Sequence, residues 1–89
     1  MNKYDTKYRI TDIRPKNGAN PFHYGIKNSI CYPAYLLAGQ RGLILVETDD
    51  IVTPIHRFQT SVIDNITYTQ QDITIETQNT IYVLTMIEE

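Results

Sequence analysis

VIDNITYTQQDITIETQNTIYVLTMI, residues 62–87, is the stretch that decides the fold. It holds three runs, 62–69, 72–77 and 80–87, parted by the two polar pairs Gln70-Gln71 and Gln78-Asn79. Each run is rich in isoleucine, threonine, tyrosine and valine. Branching at Cβ restricts χ1, which disfavours helix and suits a pleated surface. If Thr77 opposes Thr80, Ile75 faces Tyr82 and Ile73 faces Leu84. If Thr69 opposes Asp72, Tyr68 faces Ile73 and Ile66 faces Ile75. Both turns then put Ile66, Tyr68, Ile73, Ile75, Tyr82 and Leu84 on one side. A slip of one residue in either would destroy the agreement. The opposite side keeps Ile81, Val83 and Ile87, so it is more apolar than a free solvent face.

Outward from this meander the same period of two recurs. Residues 3–13 alternate Tyr4, Thr6, Tyr8 and Ile10 with Lys3, Asp5, Lys7 and Arg9, as a half-buried strand does. Residues 14–28 carry Pro15, Asn17-Gly18, Asn20-Pro21 and Gly25, and read as a long loop. In 29–39, Pro33 argues against a central strand, and one helical turn fits residues 34–37. Gly39-Gln40-Arg41-Gly42 reads as a tight turn. The run 43–46 is wholly apolar and predicts a strand covered on both faces. An acidic turn follows at 47–50, then a strand over 51–61 bent at Pro54.

The sum is an all-β domain spanning residues 1–89, with five to six antiparallel strands and at most one short helical turn. A twisted small sheet curls into a barrel, which hides its edges. An SH3-like barrel is the expected form; an OB-like barrel and a small open sandwich are the alternatives. Architecture of this kind names no partner.

Composition bounds the function more loosely. The chain has 89 residues and a formal net charge of −2. Residues 1–41 carry seven basic and two acidic side chains; residues 42–89 carry one basic residue, Arg57, and eight acidic ones. Cys31 is the single cysteine, so no internal disulfide forms. No run approaches the roughly 20 apolar residues of a membrane helix, and the N-terminal residues lack the apolar core of a signal peptide. The expected compartment is the cytoplasm, without membrane association.

Chemistry-bearing residues fall short of known patterns. His56, Ser61 and Asp64 have the types of a hydrolase triad, but no glycine elbow surrounds Ser61. On one strand His56 and Ser61 lie about 16 Å apart on opposite faces. His23, Cys31 and His56 lack the close spacing of zinc ligands. Asp49-Asp50 lacks the alternating carboxylates of a calcium loop. The glycines at 39 and 42 feed an apolar strand, not the helix a phosphate cradle needs. No catalytic group, metal or cofactor is expected.

Two binding readings follow. The first is a non-catalytic interaction module that meets a protein partner or a second copy. Its recognition residues are Tyr24, Tyr32 and Tyr35 in the irregular region, with Gln59, Thr60 and Asn79 as a polar cluster at one barrel end. That cluster assumes that Asp64 opposes Thr77, and turn capping is the preferred reading of its residues. The second is a nucleic-acid-binding barrel using Lys3, Lys7, Arg9, Arg14, Lys16 and Arg41. A sequence pI near 5.6 weighs against it.

Overall fold

A computed structural model describes residues 6–16 and 26–87. Alternation of apolar and polar residues appears in it as six strands: β1 (Tyr8–Pro15), β2 (Ile30–Tyr35), β3 (Arg41–Glu47), β4 (Ile55–Tyr68), β5 (Asp72–Thr77) and β6 (Thr80–Met86). All neighbours are antiparallel, and β6 returns to β1, closing a barrel in the order β1 to β6. A closed ring in plain sequence order is a small antiparallel barrel; it is neither an open sandwich nor the Greek-key order of an OB-like barrel. Among the described residues no helix is long and apolar enough to cross a membrane.

The C-terminal meander forms in the register its turns demand. Ile75 pairs with Tyr82 and Ile73 with Leu84 across β5–β6, while Ile66 pairs with Ile75 and Tyr68 with Ile73 across β4–β5. Ile73, Ile75, Tyr82 and Leu84 enter the core with Ile10, Ile13, Cys31, Ile44, Val46, Phe58 and Ile63. Phe58 and Tyr82 meet edge to face, with ring centroids 5.7 Å apart.

Several expectations are corrected. Tyr68 is 63% exposed rather than buried, because it is the last residue of β4 and overhangs the barrel rim. Ile63, not Asp64, opposes Thr77; a register shift between Ile63 and Asn65 throws Asp64 outward. β1 begins at Tyr8 and runs to Pro15, two residues past the expected end. A second shift, between Ile10 and Asp12, lets Ile10 and Ile13 both point inward although three positions separate them. No helical turn forms at 34–37; β2 runs through Pro33 instead. Two circumstances permit the proline. β2 pairs with β1 only through Ile30 and Cys31, and the β2–β3 register shifts just beyond Pro33.

The anticipated break between strands at 61 and 62 is absent. β4 is one strand of 14 residues. Its first part pairs with β3 and its last part with β5, the stagger that a small barrel needs to close. Pro54 lies before this strand rather than within it. Residues 48–54 form the β3–β4 loop, and Ile51 and Val52 on it are 95% and 90% exposed. Leu43 and Leu45 in β3 are half-buried, so the strand is not covered on both faces. The turn expected at 39–42 forms two residues earlier: Gln40 N donates to Leu37 O at 3.1 Å, Arg41 and Gly42 already belong to β3, and Gly39 takes φ 89°, a value glycine adopts without cost. It is clamped to β4, where Gly39 N donates to Ile63 O at 2.7 Å and Ile63 N to Gln40 O at 2.9 Å.

Candidate functional site

The pleat of β3 decides which side chains face outward. Gly42, Ile44 and Val46 are buried, so Arg41, Leu43, Leu45 and Glu47 project from the barrel. On β4, Phe58 points in while Ile55, Arg57 and Gln59 point out. Cross-strand pairing aligns these residues. Tyr35, Leu43 and Gln59 form one row; Tyr32, Leu45 and Arg57 form the next. Around the first row lies an open cleft of about 430 Å³ lined by Tyr35, Arg41, Leu43, Arg57 and Gln59.

This cleft is electrostatically unbalanced. Arg41 and Arg57 are exposed, and neither makes an ion pair with a carboxylate among the described residues. Glu47, the acid on the same strand face, instead accepts a hydrogen bond from the Tyr32 hydroxyl at 2.8 Å. That bond also holds Tyr32 in place. Tyr35 keeps 49% of its surface exposed. Two guanidinium groups, a phenol and a half-buried leucine therefore share one concave patch. Guanidinium forks match carboxylates, and the tyrosine and leucine provide apolar area.

The other basic residues do not gather here. Arg14 donates to Asp12, which holds the Asp12 carboxyl below its ordinary range, and Lys27 stands 4.0 Å from the same group. Lys16 is 2.6 Å from Glu76. The Arg9 guanidinium donates to the Asn28 carbonyl at 2.8 Å. Lys7 is half-buried, and Lys3 lies outside the described residues. Among the described members of the nucleic-acid set, Arg41 alone lines the cleft. Its companion Arg57 was not among the expected site residues. The sequence signal for Arg57 was its isolation in an acidic half, but only the β3–β4 register reveals its neighbour.

The expected polar cluster disperses into separate roles. Gln59 joins the cleft. Thr60 is buried; its hydroxyl accepts from Gly42 N at 2.9 Å and donates to Ser61 O at 2.6 Å. Asn79 is exposed, and its carbonyl accepts from Lys16 N at 2.8 Å. Thr77 closes the neighbouring turn, its hydroxyl bonding to both N and O of Thr80. These are capping contacts, and Thr60 is inaccessible to a ligand. Tyr24 and His23 lie outside the described residues.

A larger groove of about 730 Å³ lies where β1, β2 and β3 meet the β3–β4 loop, with Arg9, Ser29, Glu47, Asp49 and His56 in its lining. Its lining mixes charges of both signs, one arginine beside two carboxylates. His56, Ser61 and Asp64 are all exposed, and Ser61 and Asp64 do not line this groove. Cys31 is fully buried, and desolvation pushes its thiol up to about 12, so it stays protonated near neutral pH and is a poor nucleophile. Ile81, Val83 and Ile87 are half-buried rather than bare.

Comparison of the chain with protein-family models, with curated proteins and with solved structures finds no match.

Proposed function

We propose that this chain is a non-catalytic binding module that recognises an acidic, partly apolar protein segment on the outer face of β2, β3 and β4. One observation carries the reading: Arg41 and Arg57 flank Leu43 and Tyr35 in one cleft, with no carboxylate among the described residues to neutralise them. Exposed ion pairs contribute little alone, about 0–1 kcal/mol each. The arginines therefore supply orientation and selectivity, while burial of an apolar side chain against Leu43 and Tyr35 supplies most of the affinity. A cleft this small supports a dissociation constant from tens of micromolar to millimolar, as fits a transient partner.

The test is an amide chemical-shift titration with an acidic peptide carrying one leucine, beside the same peptide with its carboxylates replaced by lysines. Shifts confined to Leu43, Arg57 and Gln59 with the acidic peptide alone, and lost in Arg57→Glu, support the reading. Equal response to both peptides, or none, sinks it. Tyr35 beside two arginines also matches a base-stacking platform, which favours single-stranded nucleic acid as a second reading. Tighter binding of oligothymidylate than of the acidic peptide, falling steeply with salt, would move the assignment there.

A further inference from the structure

The β3–β4 loop carries the chemistry that this cleft lacks. Asp49 and Asp50 are exposed on it, followed by Ile51 and Val52 at 95% and 90% exposure. Two adjacent aliphatic side chains so open to water are unusual on a solvated loop tip, where small and polar residues prevail. The loop is nevertheless tightly built. Thr48 N donates to Pro54 O at 2.9 Å and Thr48 Oγ1 to Thr53 O at 2.6 Å. Asp50 N donates to Thr48 Oγ1 at 3.2 Å, and Val52 N to Asp50 Oδ1 at 2.9 Å. The aliphatic pair is thus presented outward by a closed hydrogen-bonded turn and is left almost bare among the described residues.

Among the described residues the loop makes no hydrogen bond or ion pair to its own cleft. Glu47 and Ile55 are paired at the base of the loop, and Leu43 lies four residues further along the hairpin. At about 3.3 Å per residue that is roughly 13 Å away, along a strand held straight by its ladder. A second molecule has no such restriction. We infer that the cleft of one chain takes the Asp49–Val52 tip of a second copy, the two aspartates meeting Arg41 and Arg57 and the aliphatic pair covering Leu43 and Tyr35. The inference rests on the reading of the cleft as a site for acidic, partly apolar segments, and it names the segment. Donor and acceptor lie on the same hairpin. A two-fold axis that sets two such hairpins antiparallel satisfies both contacts at once and closes the assembly as a dimer.

Sedimentation velocity of the full chain, from micromolar to millimolar concentration, tests this. The weight-average mass is expected to rise from monomer toward dimer, with the midpoint moving upward in added salt. Arg57→Glu and Asp49→Lys each raise the midpoint at least tenfold. Both positions are exposed, Asp50 is left in place because its carboxylate holds the turn, and unchanged amide-spectrum dispersion verifies that the fold survives. The variant carrying both reversals restores the dimer, and mixing the two single variants yields a heterodimer. A wild-type chain that stays monomeric throughout overturns the inference. So does a dimer indifferent to both reversals, a doubly reversed chain that stays monomeric, or growth past the dimer. A monomeric chain that still binds the acidic leucine peptide at Arg57 leaves the reading of the cleft standing and removes only the second copy as its occupant.

Discussion

Replacing Thr60 by valine probes the joint on which the outer face depends. Between the pairs Leu43–Gln59 and Arg41–Val62, β3 supplies one residue, Gly42, while β4 supplies two, Thr60 and Ser61. This is a β-bulge, and it takes Gly42 N out of the regular ladder. The Thr60 hydroxyl replaces the missing carbonyl at 2.9 Å and passes its own proton to Ser61 O. The approach is close because residue 42 has no side chain: an added Cβ would stand 2.9 Å from Ile63 Cδ1 and 3.1 Å from Thr60 Oγ1. Valine keeps the shape of threonine but removes the acceptor, leaving a buried N–H unsatisfied at a cost of about 1–3 kcal/mol. The lost donor to Ser61 O adds about 0.5–1 kcal/mol. The sum, about 1.5–4 kcal/mol, is a large share of the roughly 4–13 kcal/mol expected for a chain of this size. In urea denaturation with a slope of about 1–1.5 kcal/mol/M, the midpoint falls by about 1–4 M at constant slope. Thr60→Ser, which keeps the hydroxyl and loses one buried methyl, costs about 1 kcal/mol. Thr67→Val, exposed on the same strand, stays within about 0.5 kcal/mol. A Thr60→Val protein as stable as Thr60→Ser would refute the assignment of the hydroxyl as the bulge's missing acceptor.

Two further outcomes follow from burial. Ile75, fully buried, should lose about 2–5 kcal/mol on change to alanine. Tyr68→Ala at the rim should lose less than about 1 kcal/mol; thermal melts of the two side by side check the contrast. Cys31 should resist thiol reagents in the folded protein and react once urea unfolds it. Its folded pKa is raised from 9.0 to about 12, so its contribution to stability is complete below the unfolded value and is lost as pH climbs from there toward about 12. Stability measured between pH 8 and about 10.5 should therefore fall in the wild type more than in Cys31→Ala; parallel curves would contradict the burial argument.

Much of the barrel was legible in residues 62–87, because local turns and a period of two suffice to specify neighbouring strands. Ile66, Ile75 and Tyr82 pair as alternation and the two short turns require. The errors of phase share one cause. The bulges at 10–12, 59–62 and 63–65 each insert a residue into one strand, which reverses the inward phase beyond them. Asp64 was misplaced for that reason. Pro33 was misjudged because its tolerance depends on how little of β2 the neighbouring β1 covers. Tyr68 was misjudged because alternation assigns a face but not the height of the rim.

Chain chemistry alone thus determined an antiparallel all-β domain and the pairing of its last three strands, since both arise from contacts close in sequence. Closure of β6 onto β1, the bulge that makes Gly42 and Thr60 partners, and the meeting of Arg41 with Arg57 beside Tyr35 were decided only in three dimensions. The physical reason is that closure and register shifts depend on the stagger of the entire ring. No window of sequence shorter than the barrel contains that sum.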